Sequence, residues 1–135
     1  MEEITVKTRS KIEMIDITRQ VRDIVQHSKV THGICIVFVP HTTAAITINE
    51  NADPAVCKDI IGELSKIIPL EDNYRHIEGN SAAHIKATLT GSSQTVIIEK
   101  GELQLGTWQS LFFFEYDGPR NRKAWVKIIS SQGNP

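Results

Sequence analysis

The spacing of apolar residues along the chain alternates between helical and strand periods, and each change predicts an element of secondary structure. Apolar residues recur at helical spacing in three segments, which predicts helices at residues 18–29, 54–68 and 81–90. Thr18 is the expected N-cap of the first helix, and Asp53 followed by Pro54 is typical of a helix start. Asn80 or Ser81 is expected to cap the third helix, and Gly91 suits the position after its end.

Runs rich in β-branched and aromatic residues predict strands between and after these helices. The predicted strands are residues 3–7, 14–17, 33–39, 41–49, 95–99, 108–116 and 122–129. The first two could form a hairpin, and the continuous apolar run 33–39 predicts a central strand covered on both faces. The order β-β-α-β-β-α-α-β-β-β lacks the regular alternation of a doubly wound sheet. It predicts one compact α+β domain over residues 1–135, with a largely antiparallel sheet and helices packed on one face.

The predicted strand 41–49 has two unlike faces. Thr42, Ala44 and Ile46 point one way, while His41 and Thr43 belong to the small, polar set that points the other way. A pocket floor and a sheet surface that faces solvent would give the same alternation. The pattern therefore leaves both interpretations open.

Composition narrows the class of protein. A chain of 135 residues with 40% hydrophobic and 23% charged residues is typical of a globular domain. A net charge of −1 argues against a nucleic-acid or membrane-surface partner, since either usually requires a basic face. Cys35 and Cys57 lie in apolar runs and are expected to be buried free thiols. The acidic start of the sequence has no signal-peptide features, so we expect a cytoplasmic protein.

Histidines provide the main candidate chemistry. His76 and His84 enclose the segment Ile77-Glu78-Gly79-Asn80-Ser81-Ala82-Ala83, and His41 precedes Thr42-Thr43-Ala44. Neutral imidazole is a common ligand of transition metals, and three imidazoles leave a fourth position open, as a catalytic zinc requires. Seven residues between two histidines is not a standard ligand spacing, however, and most lone histidines are surface residues or satisfied core residues, which is the alternative interpretation.

Two further segments could contact a ligand. Trp108 and Gln109 follow a glycine-bearing turn and could stack on and hydrogen-bond a flat heterocycle, or Trp108 could be a core residue of a hairpin. Arg120 and Arg122 stand beside the carboxylates of Glu115 and Asp117 across a tight turn. Grouped guanidiniums suit phosphate oxygens, but the same residues could form ordinary ion pairs on a solvated turn.

Together these segments resemble the YjbQ family. The resemblance is carried by His41-Thr42-Thr43-Ala44 leading to Ile48-Asn49-Glu50-Asn51, by the segment from His76 to His84, by Gly106-Thr107-Trp108-Gln109, and by Glu115-Tyr116-Asp117-Gly118-Pro119-Arg120. It covers essentially the whole chain in order. It implies a compact α+β domain that assembles as a homotrimer and has secondary thiamine-phosphate synthase activity, which joins a pyrimidine pyrophosphate to a thiazole phosphate.

The resemblance also strengthens the expected site. Its metal ligands are His41, His76 and His84, with zinc as the expected divalent ion. Catalytic roles are expected for Glu78, Glu115 and Asn80, and substrate binding for Thr43, Trp108, Gln109, Arg120 and Arg122. The alternative function is a non-catalytic trimeric module that binds a metal ion or a small phosphorylated ligand.

Overall fold

The computed structural model describes residues 1–131 and confirms an α+β fold. The described part of the chain contains three helices, α1 (Thr18–Ser28), α2 (Pro54–Ile67) and α3 (Ser81–Thr90). Its strands are β1 (Glu2–Lys7), β2 (Glu13–Asp16), β3 (Gly33–Phe38), β4 (Ala44–Glu50), β5 (Ser93–Glu99), β6 (Glu102–Leu103), β7 (Gln109–Glu115) and β8 (Asn121–Ser130). The two-residue strand β6 is the one element that the apolar pattern does not predict.

Every strand pairing is antiparallel, and the strands form two sheets. One sheet has the order β1-β8-β3-β5-β6, and the other has the order β2-β7-β4. The predicted hairpin of the first two strands is therefore wrong, because β1 pairs with β8 in one sheet and β2 pairs with β7 in the other. The connection between them, residues 8–12, crosses from sheet to sheet and passes the candidate site.

The three-stranded sheet is buried on both faces. Ile46 and Phe113 point into the main apolar core, which they share with Val37 and Val126 of the five-stranded sheet. The opposite face is covered by α3 and α2, where Phe114 and its neighbours Ala45 and Tyr116 pack against Ala83, Ala87, Ile60, Ile61 and Leu64. The small, polar face predicted for this strand includes Ala45, which is fully buried against the helices. At Ala45 the face is therefore neither the floor of a pocket nor a surface exposed to solvent. The strand also begins at Ala44, so residues 41–43 form a loop.

Helix ends follow the local sequence in most cases. Asp53 Oδ1 accepts a hydrogen bond from the backbone N–H of Ala55 at 2.9 Å, so the predicted N-cap of α2 is confirmed. Gly91 follows α3 with φ of 99°, a conformation that favours glycine. The predicted N-cap of α1 is wrong by one position. Ile17 is the N-cap, because the Thr18 hydroxyl is buried and accepts a hydrogen bond from the backbone N–H of Leu111 on β7.

Two further sequence predictions concern the cysteines and membranes. Cys35 and Cys57 are both free, and burial raises the pKa of the Cys35 thiol to about 11. Cys35 is fully buried, whereas Cys57 is only partly buried. Within residues 1–131 no helix has the length and apolar character to cross a membrane.

Candidate functional site

The three candidate histidines line one open hollow of about 480 Å³, which we call the histidine hollow. Its lining comes from four segments: the loop before β4, the connection from α2 to α3, the first turn of α3, and the turn from β7 to β8. The lining residues are Pro40, His41, Thr42, Thr43, His76, Glu78, Asn80, His84, Arg120 and Arg122. Most of the residues predicted to act in catalysis, metal binding or substrate binding are thus brought together.

His76 and His84 form a close pair on one wall of the hollow. Their ring centroids are 5.3 Å apart, and the ring planes are nearly perpendicular, at 87°. His84 lies on α3, one turn after Asn80, and His76 lies in the preceding loop. Glu78 Oε2 is 3.9 Å from His76 Nε2, so this exposed carboxylate is placed to orient the imidazole rather than to hold it firmly.

His41 also lines the hollow but is held differently from the other two histidines. Its Nε2 accepts a hydrogen bond from the backbone N–H of Lys123 at 2.9 Å, and its ring meets the Phe113 ring edge-on at a centroid distance of 6.5 Å. Burial, followed by the positive charge of Arg122, lowers the pKa of His41. The imidazole is therefore neutral at neutral pH, and Nδ1 carries its single proton while Nε2 accepts.

The three imidazoles share a hollow but do not form a ready-made metal site. Within residues 1–131, no three His, Cys, Asp or Glu side chains are arranged to hold a metal ion as they stand. His76 and His84 are close enough to act as a pair. His41, however, uses Nε2 to accept from Lys123 and keeps a proton on Nδ1, so neither nitrogen is a free ligand in this conformation. A metal ion could use His41 only after this ring releases the backbone of Lys123.

Beneath the hollow lies a buried ion pair between Glu115 and Arg122. Glu115 is fully buried and accepts hydrogen bonds from Nε (2.8 Å) and Nη2 of Arg122, from the Thr8 hydroxyl (2.8 Å) and from the backbone N–H of Asp117 (3.1 Å). Burial alone would raise the pKa of Glu115, but the hydrogen bonds from Arg122, Asp117 and Thr8 outweigh it, and the pKa is lowered. The arginine turn is thus an ion pair, as the alternative interpretation held, but a buried one.

Arg122 is held from two sides at the edge of the hollow. Its Nη2 donates to the Thr43 hydroxyl at 2.8 Å as well as to Glu115, so Thr43 supports the guanidinium. Both Thr43 and Arg122 line the hollow.

Asp117 is a second organising carboxylate and the other acidic residue of the turn that carries the two arginines. Its Oδ1 accepts from Lys11 Nζ at 2.9 Å, and its Oδ2 accepts from Arg120 Nη2 at 2.9 Å and from Asn80 Nδ2 at 3.0 Å. Burial would raise its pKa, but the bonds from Asn80, Lys11 and Arg120 lower it to about 2. The ion pairing predicted for this turn is therefore present at Asp117 too, and Lys11 and Asn80 are its additional partners.

Trp108 and Gln109 lie outside the histidine hollow. Gln109 begins β7 and Glu115 ends it, so the two ends are separated by about 20 Å at roughly 3.4 Å per residue. Gln109 Oε1 accepts from the backbone N–H of Gly106, and Trp108 is 64% exposed. Trp108 is therefore neither a core residue nor, within one chain, a neighbour of the histidines.

The remaining two histidines have other partners. His27 Nδ1 bonds to the carbonyl oxygen of Asp23 one turn earlier on α1, at 2.7 Å. His32 Nδ1 is 2.6 Å from Glu99 Oε2 on β5. Neither lines the hollow, which makes His27 a suitable control position for experiments on the site.

Comparisons with known proteins give one consistent family. A family model described as UPF0047 protein YjbQ-like matches residues 2–131. The chain is 54% identical over 127 residues to UPF0047 protein MJ1081 of Methanocaldococcus jannaschii, covering 94% of this chain and 92% of that protein. It is 49% identical to UPF0047 protein YugU of Bacillus subtilis, covering 93% and 96%.

Solved structures are similar to this fold as well. A crystal structure of an uncharacterized conserved protein of the YjbQ/UPF0047 family from Clostridium acetobutylicum matches with a TM-score of 0.94 and 56% identity. The match covers 96% of this chain and all of that one. The arrangement of sheets and helices described above is therefore similar to one seen by crystallography.

Proposed function

Because the chain belongs to the UPF0047 YjbQ-like family, we propose that it is a metal-dependent enzyme acting on a phosphorylated heterocycle. The proposed reaction is that of a thiamine-phosphate synthase-type transferase, which joins a pyrimidine pyrophosphate to a thiazole phosphate. One observation carries the proposal. Three imidazoles and two carboxylate-backed guanidiniums converge on the same open hollow.

Phosphate is the ligand group that the arginines favour. Arg120 is fixed by Nε on the carbonyl oxygen of Asp117 (2.8 Å) and by Nη2 on its carboxylate, which leaves Nη1 without a partner in the described chain. Arg122 lines the same hollow, and its Nε and Nη2 are bonded to Glu115. Guanidinium donors that carboxylates hold in place suit phosphate oxygens.

The reaction exchanges one bond for another. The ring nitrogen of the thiazole attacks the methylene carbon of the pyrimidine, and the carbon–oxygen bond to pyrophosphate breaks, with the electron pair leaving on the pyrophosphate oxygen. Arg120 and Arg122 would stabilise the negative charge that grows on that oxygen. Glu78 would orient His76, a supporting duty whose loss typically costs about 10- to 100-fold. Asn80 and the N-terminus of α3 would bind a second phosphate oxygen.

A divalent transition metal, zinc in the preferred version, is proposed on His41, His76 and His84. When bound, it would supply positive charge beside the leaving pyrophosphate. His76 and His84 would be the first ligands, and His41 would join them after releasing the backbone N–H of Lys123. The lowered pKa of His41 supports this role, because a metal ligand must be unprotonated.

A homotrimer is part of the proposal. Trp108 and Gln109 lie at the opposite end of β7 from Glu115, about 20 Å along the strand, and do not line the hollow of their own chain, so they could flank a ligand ring only in a neighbouring copy. Light scattering at micromolar concentration is expected to give three times the 15.1 kDa mass of the chain. A monomer at every concentration would remove both the trimer and the roles of Trp108 and Gln109.

The proposal is tested by assaying thiamine phosphate formation from the two phosphorylated precursors. His84→Ala should lose both metal and turnover, whereas Arg120→Ala should keep the metal and mainly weaken substrate binding. His27→Ala, a substitution outside the hollow, should match the wild type. Elemental analysis of protein purified without a histidine tag or chelator measures the metal. Wild-type activity in both site variants would overturn the assignment.

A non-catalytic trimeric module that binds a metal ion or a small phosphorylated ligand is the second candidate. It is favoured by the state of Glu115, whose four accepted hydrogen bonds leave it no direct catalytic role in the hollow. Such a module shows saturable binding of phosphorylated ligands with no product. Turnover by the wild type decides between the two functions.

A further inference from the structure

A second open space adjoins the histidine hollow beside α3 and the turn that follows it. Its volume is about 340 Å³, and we call it the annex. Ligand pockets in proteins typically measure about 300–1,000 Å³, so the annex has room for a small ring. Three residues, His41, Thr42 and His84, line both spaces, which therefore meet along this boundary. The full lining of the annex is His41, Thr42, Ala44, His84, Ala87, Thr88, Gly91 and Ser92.

Small residues keep the annex open. Ala44 at the start of β4 and Ala87 on α3 are almost fully buried, and each contributes only a methyl group to the lining. Gly91 contributes no side chain, and a Cβ built there would meet no atom beyond its chain neighbours within 4 Å. The turn at Gly91 is held against β4, because its carbonyl oxygen accepts a hydrogen bond from the backbone N–H of Ile46 at 3.1 Å. The open space is therefore built into the fold.

The chemistry of the annex differs from that of the hollow. Among the described residues that line the annex there is no Lys, Arg, Asp or Glu, whereas Glu78, Arg120 and Arg122 line the hollow. Apart from the two imidazoles at the boundary, the polar side chains of the annex are hydroxyls. Those of Thr42 and Ser92 make no hydrogen bond within residues 1–131, so each can donate to a ligand and accept from it. Methyl groups and free hydroxyls suit an uncharged ring with polar edges, and they lack the charge that favours phosphate.

We infer that the annex binds the amino-substituted ring of the pyrimidine pyrophosphate, while the pyrophosphate group of the same molecule lies in the hollow. The inference rests on the proposed function for the identity of the two substrates. Hydrogen bonding decides between their rings. The pyrimidine has ring nitrogens that accept and an amino group that donates, which matches hydroxyls that do both. The thiazole nitrogen must stay free of such bonds, because it attacks the methylene carbon in the proposed reaction.

A ligand that spans both spaces has its reacting bond at the boundary. The bond between the methylene carbon and the pyrophosphate oxygen would lie beside His41, Thr42 and His84, the residues that both spaces share. The ring in the annex would hold the methylene carbon at this place. The annex would also distinguish the pyrimidine ester from a pyrophosphate that carries no ring to fill it.

Calorimetric titration of the wild type with two esters measures this preference. The probes are the pyrimidine pyrophosphate and methyl pyrophosphate, which has the same phosphate charge but no ring, and the thiazole phosphate is left out so that no turnover occurs. We expect the pyrimidine ester to bind about tenfold more tightly or better, because only its ring fills the annex. Ser92→Leu and Thr88→Leu place a larger apolar side chain in the annex from two different segments. Each should bring the affinity for the pyrimidine ester down to about that for methyl pyrophosphate, whose own affinity should not change.

Two further variants make the test specific. Ser93→Leu is the matched control, because Ser93 follows Ser92 but lines neither space, and it should bind both probes as the wild type does. Arg120→Ala should weaken both probes to the same extent, because it removes a donor on the phosphate side.

The outcomes separate this inference from the proposed reaction. Equal affinity of the wild type for the two esters, or an undiminished preference for the pyrimidine ester in both annex-filling variants, would overturn the inference and leave the synthase reaction standing. A wild type that prefers the pyrimidine ester through the annex but forms no thiamine phosphate would support the inference and contradict the reaction. Binding of neither ester would contradict the annex and the phosphate site together.

Discussion

Replacing Glu115 with glutamine tests how much the buried ion pair under the hollow contributes to folding. The substitution would keep the size of the side chain but remove its charge, and one of the two terminal atoms would become a donor facing other donors. Arg122 would then be left as a 5%-exposed cation whose principal partner is gone. The perturbation is local, because Glu115 ends β7 and touches no predicted metal ligand directly.

The expected cost follows from the number of contacts that Glu115 makes. Removing one member of a buried ion pair typically costs about 3–5 kcal/mol, since the other charge stays buried without compensation. At roughly 3–4 °C per kcal/mol for a chain of this size, the melting temperature should fall by about 10–20 °C. Arg122→Met should cost a similar amount, because it leaves the Glu115 carboxylate uncompensated.

A double-mutant cycle separates the pair from other effects. Stability of the wild type, Glu115→Leu, Arg122→Met and the double variant is measured by urea unfolding at pH 7. The double variant should regain most of what each single variant loses, because two apolar side chains of similar volume replace both charges. We expect a coupling energy of about 3 kcal/mol or more. The control is Glu63→Gln, which removes an exposed pair with Lys66 and should change stability by less than about 1 kcal/mol.

The pH dependence of stability is a second measure of what Glu115 contributes. The pKa of Glu115 is lowered in the folded protein, so its stabilisation is present above its ordinary value of 4.5 and is lost as the pH falls through the lowered folded value. Glu115→Gln should lack this part of the acid sensitivity. Single variants that cost under about 1 kcal/mol, or a double variant whose loss equals the sum of the single losses, would refute the reasoning.

Three other predictions concern stability measured by urea or thermal unfolding. The pKa of Asp117 falls from an ordinary 3.8 to about 2, so its carboxylate should add roughly 2 kcal/mol to the free energy of unfolding above pH 4. This stabilisation should be lost as the pH falls towards 2, and Asp117→Asn should show no such loss. Gly33→Ala should destabilise by about 1–3 kcal/mol, because its Cβ would overlap the carbonyl oxygen of Ile129, whereas Gly62→Ala, in an open helical position, should stabilise by about 0.5–1 kcal/mol. Asp53→Ala should cost about 1 kcal/mol by removing the N-cap of α2.

Elements fixed by local chemistry could be predicted from the sequence. Asp53 and Pro54 set the start of α2, and Gly91 follows α3, because caps and backbone conformation depend on a few neighbouring residues. Pairing between strands depends on distant residues, so the hairpin prediction for residues 3–17 failed. Thr18 failed as a cap for the same reason, since its hydroxyl bonds to Leu111, 93 residues away along the chain.

Most of the residues of the candidate site could be predicted from the sequence, but Trp108 and Gln109 were wrongly included for a single chain, and the roles could not be predicted. The spacing of His76 and His84 is not a standard ligand spacing, but His76 lies in a connection that can fold back, and the loop from α2 does bring it to α3. The sequence could not show which of the two arginines is buried, because Arg120 and Arg122 stand in the same turn. In the structure Arg122 is buried and Arg120 is half-exposed. The burial of each arginine depends on how the strands and loops pack over the turn, which the local sequence does not reveal. That packing makes the Arg122 guanidinium structural and leaves the Arg120 guanidinium largely exposed to solvent.

Asp117 connects two residues of the histidine hollow by a single carboxylate. Its Oδ2 accepts hydrogen bonds from both Arg120 and Nδ2 of Asn80, while its Oδ1 accepts from Lys11. Neutralising Asp117 would release these groups together, since an amide at this position could not accept from Arg120, Asn80 and Lys11 with the same strength. Asp117→Asn should therefore weaken phosphate binding in the hollow at both Arg120 and Asn80.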